Sequence, residues 1–309
     1  MNIKLKDMDA IKFNGIDIGA VKFNGEYVWR KGSVIVLNHS AGTFKASAEG
    51  TGIKWKYKEQ EVTSGSCNFA IDESDNNVYL MFNKELSKFT CNNDDKLLLD
   101  LSDLGGKITY YLSLYNCSNI TGDLSDLNGK ITNTLSLYGC KNITGDLSDL
   151  GGKITNYLSL YNCSNITGDL SDLGGKITNL NLNGCKSITG NLSDLGGKIT
   201  NTLNLGNCKN ITGDLSDLGG KITNALNLYN CSNITGIYSG QSYPKTINLS
   251  NTGLSASDMD STLINFANSS VSNGTFTAAN MTRTSASDEA AATLAGKGWE
   301  ITGLTKVEA

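Results

Sequence analysis

The sequence predicts a repeat solenoid that carries a parallel β-sheet on one face and short helical or 3₁₀ turns on the other. The first observation is the string LSDLGGK, or a near copy, which begins at Leu101, Leu124, Leu147, Leu170, Leu192 and Leu215. The second is a set of cysteines with the same spacing of about 23 residues. Such a period indicates coils that bury their apolar side chains only by stacking on one another.

Residues 1–31 contain a shorter duplication, IKFNG at residue 11 and VKFNG at residue 21. Asn14-Gly15 and Asn24-Gly25 are typical of tight turns between antiparallel strands. We therefore predict an N-terminal β-hairpin segment that docks or oligomerises through β-pairing, or that forms a lid on the next domain.

Residues 32–85 carry strand-like runs at 33–37, 43–48, 53–57 and 78–82. This pattern predicts a small β-sandwich-like domain that also covers the first coil of the repeats. His39 and Cys67 lie in this region, and we assign both a structural role because a lone His or Cys is usually structural.

Residues 86–254 form the predicted solenoid, and residues 108–127 illustrate one coil. The stretch 111–115 alternates polar and apolar side chains, which is typical of a strand with one buried face. Leu124 and Leu127 are three residues apart, as on one side of a short turn. The positions predicted to point inward are Ile108, Leu112, Leu114, Cys117, Ile120, Leu124 and Leu127.

The cysteines of the repeats form a predicted structural column. Its members are Cys91, Cys117, Cys140, Cys163, Cys185, Cys208 and Cys231, with Cys91 aligned by assuming a three-residue insertion in NNDDKLLLD. Neighbouring coils would place these thiols at the strand spacing of about 4.8 Å, which is wider than the usual Cβ separation in a disulfide. The repeats contain no CxxC pair and no His beside the cysteines, so a zinc site is not indicated. We therefore expect these cysteines to be buried free thiols.

The pattern LxLxxC, then xxIT, then LxxL resembles the leucine-rich repeat, with cysteine where that family usually has asparagine. The resemblance covers residues 86–254 and implies a curved solenoid with a parallel sheet on its concave side. ITGDLSDLGGKI also resembles the LTGxIPxxLG stretch of the plant-type subclass. The proline of that stretch is absent, which leaves open whether a second short strand follows the main one.

The repeats differ from one another mainly at strand positions that should face outward. The first outward column reads Tyr111, Thr134, Tyr157, Asn179, Thr202 and Ala225; the second reads Ser113, Ser136, Ser159, Asn181, Asn204 and Asn227; the third reads Tyr115, Tyr138, Tyr161, Asn183, Gly206 and Tyr229. Tyr, Ser and Asn are also the residues of antibody paratopes, and stacked tyrosines suit the C–H faces of sugar rings. The alternative interpretation is recent duplication followed by neutral drift at solvated positions.

We predict a ligand-binding surface on this face. Its residues are Tyr111, Ser113, Tyr115, Thr134, Ser136, Tyr138, Tyr157, Ser159, Tyr161, Asn181, Asn183, Asn204, Asn227 and Tyr229. We predict no catalytic residue, no metal ligand and no cofactor. The repeated GDLSD aspartates, such as Asp123 and Asp126, invite a calcium hypothesis, but calcium loops draw six to eight oxygens from closer spacings, so we favour a solvated convex face.

Residues 255–309 predict an αβ cap, with one helix from Ser257, a second near 287–295 and a strand at 299–302. The strand at 247–249 is the last one predicted for the repeats. The KFNG…VW pattern near the N-terminus resembles structural proteins of phages and prophages. The ending RTSASDEAAATLAGKGWEITG resembles the C-terminal cap of repeat proteins encoded by gut-bacterial phages and prophages.

Composition narrows the function classes. The net charge of −4 argues against nucleic acid as a partner, and the single histidine argues against a Ser-His-Asp triad. The sequence contains no stretch of 18 apolar residues, so it predicts no membrane-spanning helix. Residues 1–13 lack the apolar core of a Sec signal peptide. A glycan-degrading enzyme would need a carboxylate pair in one cleft, and the outward columns contain none.

We therefore expect a non-enzymatic recognition protein that binds a host-surface protein or glycan through the concave face. The resemblance of both ends favours a phage or prophage tail-fibre or receptor-binding component, with residues 1–31 contacting other virion proteins. The alternative is a bacterial cell-surface adhesin or secreted leucine-rich-repeat effector. The expected location is the virion tail or the bacterial cell surface, after synthesis in the cytoplasm.

Overall fold

The structure, a computed structural model, describes residues 33–174 and 177–308 and the backbone of four strands before them. Those strands form two antiparallel hairpins, β1 (Ile11–Phe13) with β2 (Ile16–Ile18) and β3 (Ala20–Phe23) with β4 (Glu26–Arg30). The predicted turn residues Asn14-Gly15 and Asn24-Gly25 lie outside the described residues. The strands on either side of each pair do form the expected hairpins.

Two sheets pack together at the start of the fully described chain. Their strands are β5 (Ser33–His39), β6 (Gly42–Gly50), β7 (Lys54–Tyr57), β8 (Gln60–Val62), β9 (Ser66–Ile71), β10 (Asn77–Phe82), β11 (Leu86–Thr90) and β12 (Leu97–Leu98). One sheet has the order β12-β5-β10-β7-β8, while β11, β6 and β9 end a larger sheet. Trp55 joins the two, since its ring lies 6.3 Å from Phe44 and 6.4 Å from Phe89.

The repeats each add one parallel strand to the larger sheet. These strands are β13 (Ile108–Ser113), β14 (Thr134–Ser136), β15 (Tyr157–Ser159), β16 (Asn179–Asn181), β18 (Thr202–Asn204), β20 (Ala225–Asn227) and β22 (Thr246–Asn248). Leu112 pairs with Leu135, and Leu135 with Leu158, and all three side chains are buried. A slip of one residue would turn every leucine to the opposite face, so their burial determines the register.

A second, shorter strand does follow the main one in the later repeats. It consists of β17 (Gly190–Asn191), β19 (Ile211–Asp214) and β21 (Ile234–Thr235), which pair in parallel. In the earlier repeats the same contact is a single bridge, as between Asp123 and Thr144. The missing proline therefore does not prevent this strand.

The LSDL segments form the expected turns. They are the α-helix α1 (Leu101–Leu104) and the 3₁₀ helices Leu124–Leu127, Leu147–Leu150, Leu170–Asp172, Leu192–Leu195 and Leu215–Leu218. In the third repeat, Asp146 accepts the Ser148 N–H at 3.0 Å, and Asp149 accepts the Asp146 N–H at 2.8 Å. A side-chain oxygen before each of these turns therefore caps a free N–H group, and in the 3₁₀ turns the following aspartate completes a capping box.

The buried columns match the predicted inward positions, because Ile108, Leu112, Leu114, Cys117, Ile120, Leu124 and Leu127 are each at most 3% exposed. The thiol of Cys140 donates to the backbone oxygen of Leu114 at 3.0 Å, and that of Cys163 to Leu137 at 3.2 Å. The cysteines of the repeats are all buried and free of disulfides, and burial raises the pKa of the Cys140 thiol to about 12. Each thiol thus links two coils by supplying a hydrogen to a carbonyl.

The prediction that Cys91 belongs to this column is wrong. Thr90 pairs with Ser113, so Cys91 lies beside Leu114, and Asp94 takes the position that a cysteine holds in later coils. The Asp94 carboxylate is held by Nε2 of buried His39 at 3.0 Å and accepts the Leu97 N–H at 3.2 Å. Thr90 and Ser113 are 23 residues apart, as are Asp94 and Cys117, so this coil has the ordinary period and contains no three-residue insertion in NNDDKLLLD.

The C-terminal region extends the same sheet. It contains α2 (Ala256–Asn268), β23 (Thr275–Arg283), the 3₁₀ turn Ser285–Ser287, α3 (Asp288–Gly296) and β24 (Glu300–Lys306). Both helices were predicted, and β24 corresponds to the strand predicted at 299–302; the strand that was not predicted is β23, which joins β22 to β24 in the same parallel sheet. Strand β23 escaped prediction because a register shift between Thr277 and Met281 interrupts its alternation of buried and exposed side chains.

Pairing also crosses the predicted domain boundaries. Strand β6 pairs with β11, and β22 pairs with β23, so the regions 32–85, 86–254 and 255–309 contribute to one twelve-stranded sheet. The result is a β-rich chain with parallel strands and few helices, as expected. Within the described residues, no helix has the length and apolar character needed to cross a membrane.

Candidate binding groove

The outward face of the sheet is built from three columns of side chains. Tyr111 pairs with Thr134 and Thr134 with Tyr157, so these residues form the first column. Ser113, Ser136 and Ser159 are in register in the second column. Strands alternate their side chains, so both columns lie opposite the buried leucines between them.

The third column is a stack of tyrosine rings. The Tyr115 and Tyr138 ring centroids are 4.5 Å apart at 26°, and those of Tyr138 and Tyr161 are 4.2 Å apart at 8°. Burial, followed by the neighbouring Tyr161 hydroxyl, raises the pKa of Tyr138. Because these rings cover one another's faces, the stack presents mainly ring edges and hydroxyls.

The serines of the second column are less accessible than an outward position suggests. Ser113 is 4% exposed, Ser136 is 6% exposed and Ser159 is fully buried. The Ser113 hydroxyl donates to Asn92 Oδ1 at 2.8 Å. The serines therefore form a floor of small side chains between two rows of tyrosines.

A groove of about 440 Å³ opens on this face. Its lining consists of Asn92, Tyr111, Ser113, Tyr115, Thr134, Ser136, Asn156, Tyr157 and Asn179. All nine are uncharged residues that carry a hydroxyl or an amide. The groove thus brings together seven residue positions of the tyrosine-bearing coils and two asparagines from the coils on either side.

Three groove residues are absent from the predicted site. Asn92 was missed because the alignment through Cys91 was displaced; it follows Thr90 by two residues, as Tyr115 follows Ser113, so it extends the third column. Asn179 stands in the first outward column and could have been included on that signal. Asn156 precedes its strand, and no sequence pattern singles it out.

The predicted asparagines lie away from the groove in a separate hydrogen-bonded array. Asn204 Oδ1 accepts from Asn183 Nδ2 at 3.2 Å and from Asn227 Nδ2 at 3.0 Å. Asn181 Oδ1 accepts the Asn183 N–H at 3.2 Å, and Asn227 Oδ1 accepts the Tyr229 N–H at 3.1 Å. These amides bond to one another and to backbone, so the tyrosine-bearing coils are the more available part of the face.

The other predicted site residues occupy different environments. Tyr111, Ser113, Tyr115, Thr134, Ser136 and Tyr157 line the groove, whereas Tyr138 and Tyr161 stack beside it and Ser159 is buried. Tyr229 is 37% exposed and stands apart from the tyrosine stack.

A lysine side chain, Lys88, lies beside the groove and extends the first column by one strand. Lys88 pairs with Tyr111 across β11 and β13, and its Nζ lies 5.4 Å from the Tyr111 ring centroid. The same Nζ donates to Glu49 Oε1 at 2.9 Å. The lysine therefore covers one face of the Tyr111 ring at the edge of the groove.

No family model matches this chain, and no curated protein or solved structure is significantly similar to it. The described residues contain no group of three or more His, Cys, Asp or Glu side chains that could hold a metal ion.

Proposed function

We propose that this chain is a non-enzymatic recognition protein that binds a host-surface protein or glycan through the groove. The observation that carries the proposal is the location of the differences between repeats. The LSDL turns and buried columns hardly vary, whereas the groove column changes from Tyr to Thr to Tyr and then to Asn. Framework positions are constrained by packing, and variable side chains on a rigid face are typical of binding surfaces.

The fold that supports this function is a leucine-rich-repeat solenoid, with the grooved sheet on its concave side. In-register parallel pairing from β13 to β22, a turn opposite each strand and buried columns shared by successive coils all support that assignment. The N-terminal strands extend the array at one end, and β23 and β24, with the two C-terminal helices, extend it at the other, as the terminal caps of repeat proteins do.

The favoured setting is a phage or prophage tail fibre or receptor-binding component, located on the virion tail. The support is the resemblance of the KFNG…VW segment and of the C-terminal region, together with two N-terminal hairpins that offer strand edges for assembly. The alternative is a bacterial cell-surface adhesin or secreted effector. Tail-assembly genes beside the coding sequence would favour the virion, and an upstream export signal would favour the adhesin.

The groove lining also supports recognition over hydrolysis. Glycoside hydrolysis uses two carboxylates on either side of the scissile bond, and the lining residues are Tyr, Ser, Thr and Asn. Such side chains bind through ring contacts and hydrogen bonds at low cost in conformational entropy.

The test is binding of the labelled full-length chain to an array that carries glycans and bacterial surface proteins. We expect at least one ligand, and we expect Tyr115→Ser to weaken its binding about fivefold, because a ring contact is worth about 1 kcal/mol. Tyr110→Ser is the matched control, since Tyr110 is 53% exposed and lies outside the groove lining. Equal binding by the Tyr115 variant and the parent would contradict the proposed surface.

A further inference from the structure

The groove contains one gap between aromatic rings. In the third column Tyr115, Tyr138 and Tyr161 follow one another without interruption. In the first column Thr134 separates Tyr111 from Tyr157. The first column therefore leaves a slot in the position where the third column has its middle ring.

The slot is wide enough for one six-membered ring. Adjacent strands lie about 4.8 Å apart, so the backbones that carry Tyr111 and Tyr157 are about 9.6 Å apart. A ring bound midway would lie about 4.8 Å from each tyrosine, which is within the range of ring-to-ring contacts. Lys88 covers the other face of Tyr111, so the face toward Thr134 is the available one.

The base of the slot is polar. Thr134 and Ser136 are 5% and 6% exposed and both line the groove. Neither hydroxyl is hydrogen-bonded to another residue in the described part of the chain, and the Asn156 amide and Asn92 Nδ2 have no such partner either. The two hydroxyls reach the groove from nearly buried side chains and the two amides are exposed in its lining, so all four can bond to a ligand that supplies hydrogen bonds.

We propose that the slot binds a neutral pyranose residue of a glycan. The C–H faces of the sugar pack against Tyr111 and Tyr157, and its hydroxyls bond to Thr134, Ser136 and the two asparagine amides. An aromatic side chain of a protein ligand would fill the same width but would leave the hydroxyls at the base unpaired. A charged sugar is disfavoured because the lining supplies no charge and the nearby Lys88 is already paired with Glu49. This inference rests on the proposed function and names its ligand class.

The experiment uses the full chain on an array of neutral hexose and N-acetylhexosamine oligosaccharides, with sialylated and sulfated oligosaccharides and surface proteins on the same slide. The decisive variant is Thr134→Tyr, which fills the slot with a ring, as Tyr138 does in the neighbouring column. Ala225→Tyr is the matched control, because Ala225 occupies the same column in β20 outside the groove lining. Tyr157→Asn, which removes one wall, tests the slot without adding bulk.

We expect binding to neutral oligosaccharides, at least about a tenfold loss for Thr134→Tyr and Tyr157→Asn, and parental binding for Ala225→Tyr. Circular dichroism of each variant establishes that it is folded. Neutral-glycan binding that survives in Thr134→Tyr overturns the inference. Binding to surface proteins alone, lost in Tyr115→Ser, also overturns it but leaves the proposed function standing. Binding to nothing on the slide, or through another surface, overturns both.

Discussion

At one residue position in each coil the backbone enters the left-handed region. Asn93, Asn116, Asn162, Asn207, Asn230, Asn251 and Asn280 have φ between 55° and 64°, and Gly139 and Gly184 hold the same position in other coils. Asn230 Nδ2 donates to Asn207 Oδ1 at 2.9 Å, and Asn251 Nδ2 donates to Asn230 Oδ1 at 2.8 Å. Asparagine is suited to this site because it tolerates positive φ and its amide both donates and accepts.

Two substitutions at Asn230 separate these contributions. Asn230→Gly keeps the backbone freedom but removes two amide bonds, so we expect a loss of about 1–2 kcal/mol in the free energy of unfolding. Asn230→Ala loses the same bonds and adds left-handed strain of about 1 kcal/mol or more. Urea titration followed by circular dichroism measures both. An alanine variant as stable as the glycine variant would show that the φ of Asn230 carries no cost.

At the scale of the element, the capped LSDL turns depend on ionised aspartates. Backbone and side-chain hydrogen bonds from Ser125, Ser148 and Ser171 lower the pKa of Asp123, Asp146 and Asp169 respectively. A carboxyl whose pKa is lower in the folded state favours folding above its unfolded pKa, and this contribution is lost as pH falls through the folded pKa. One repeat has Asn191 as its cap in place of aspartate, and its Oδ1 accepts the Ser193 N–H at 2.9 Å.

This natural replacement provides the test. In the parent chain, we expect the urea midpoint to fall as the pH is lowered from about 5 to 3, because the unfolded aspartates bind protons near pH 4. The triple variant with Asp123→Asn, Asp146→Asn and Asp169→Asn keeps a capping oxygen in each turn, so its midpoint should fall less over the same interval. Parallel pH profiles for parent and variant would show that the caps make no contribution through their charge.

At the scale of the whole molecule, each coil packs on its neighbours through equivalent contacts. The Leu180–Leu203 and Leu203–Leu226 pairs repeat the geometry of Leu112 and Leu135. Stability in such an array is approximately a sum of terms for single repeats and for adjacent pairs. A complete coil should therefore be removable without disturbing the register on either side.

Two deletions of one complete coil test this and also locate the site. Deletion of residues 192–214 joins Asn191 to Leu215, and deletion of residues 147–169 joins Asp146 to Leu170. We expect both chains to fold, with a modestly lower urea midpoint and parental circular dichroism. Only the second deletion removes Tyr157 and Tyr161, so only it should lose ligand binding. An unfolded product from either deletion would contradict the independence of the coils, and equal binding by both would contradict the site.

The strands and turns of the repeats could be predicted from the sequence because the spacing of apolar residues is a local property. Leu112 and Leu114 identify a strand with a buried face, and the Leu124–Leu127 spacing identifies a turn. Prediction from the sequence failed at Cys91, where the assumption of an insertion displaced the alignment by three residues, and at β23, where a register shift breaks the alternation. The left-handed asparagine column was also missed, since its signal is a backbone angle and a contact between coils.

The sequence by itself determined the period, the inward columns, the turns with their aspartates and the set of outward columns, because burial of leucine at a fixed spacing leaves one register. Only the tertiary structure decided which outward side chains are available. The rings of Tyr115, Tyr138 and Tyr161 cover one another, the serines become a floor, and the gap at Thr134 becomes a slot. The physical reason is that exposure depends on side chains from adjacent strands, which are close in space but a whole coil apart along the chain.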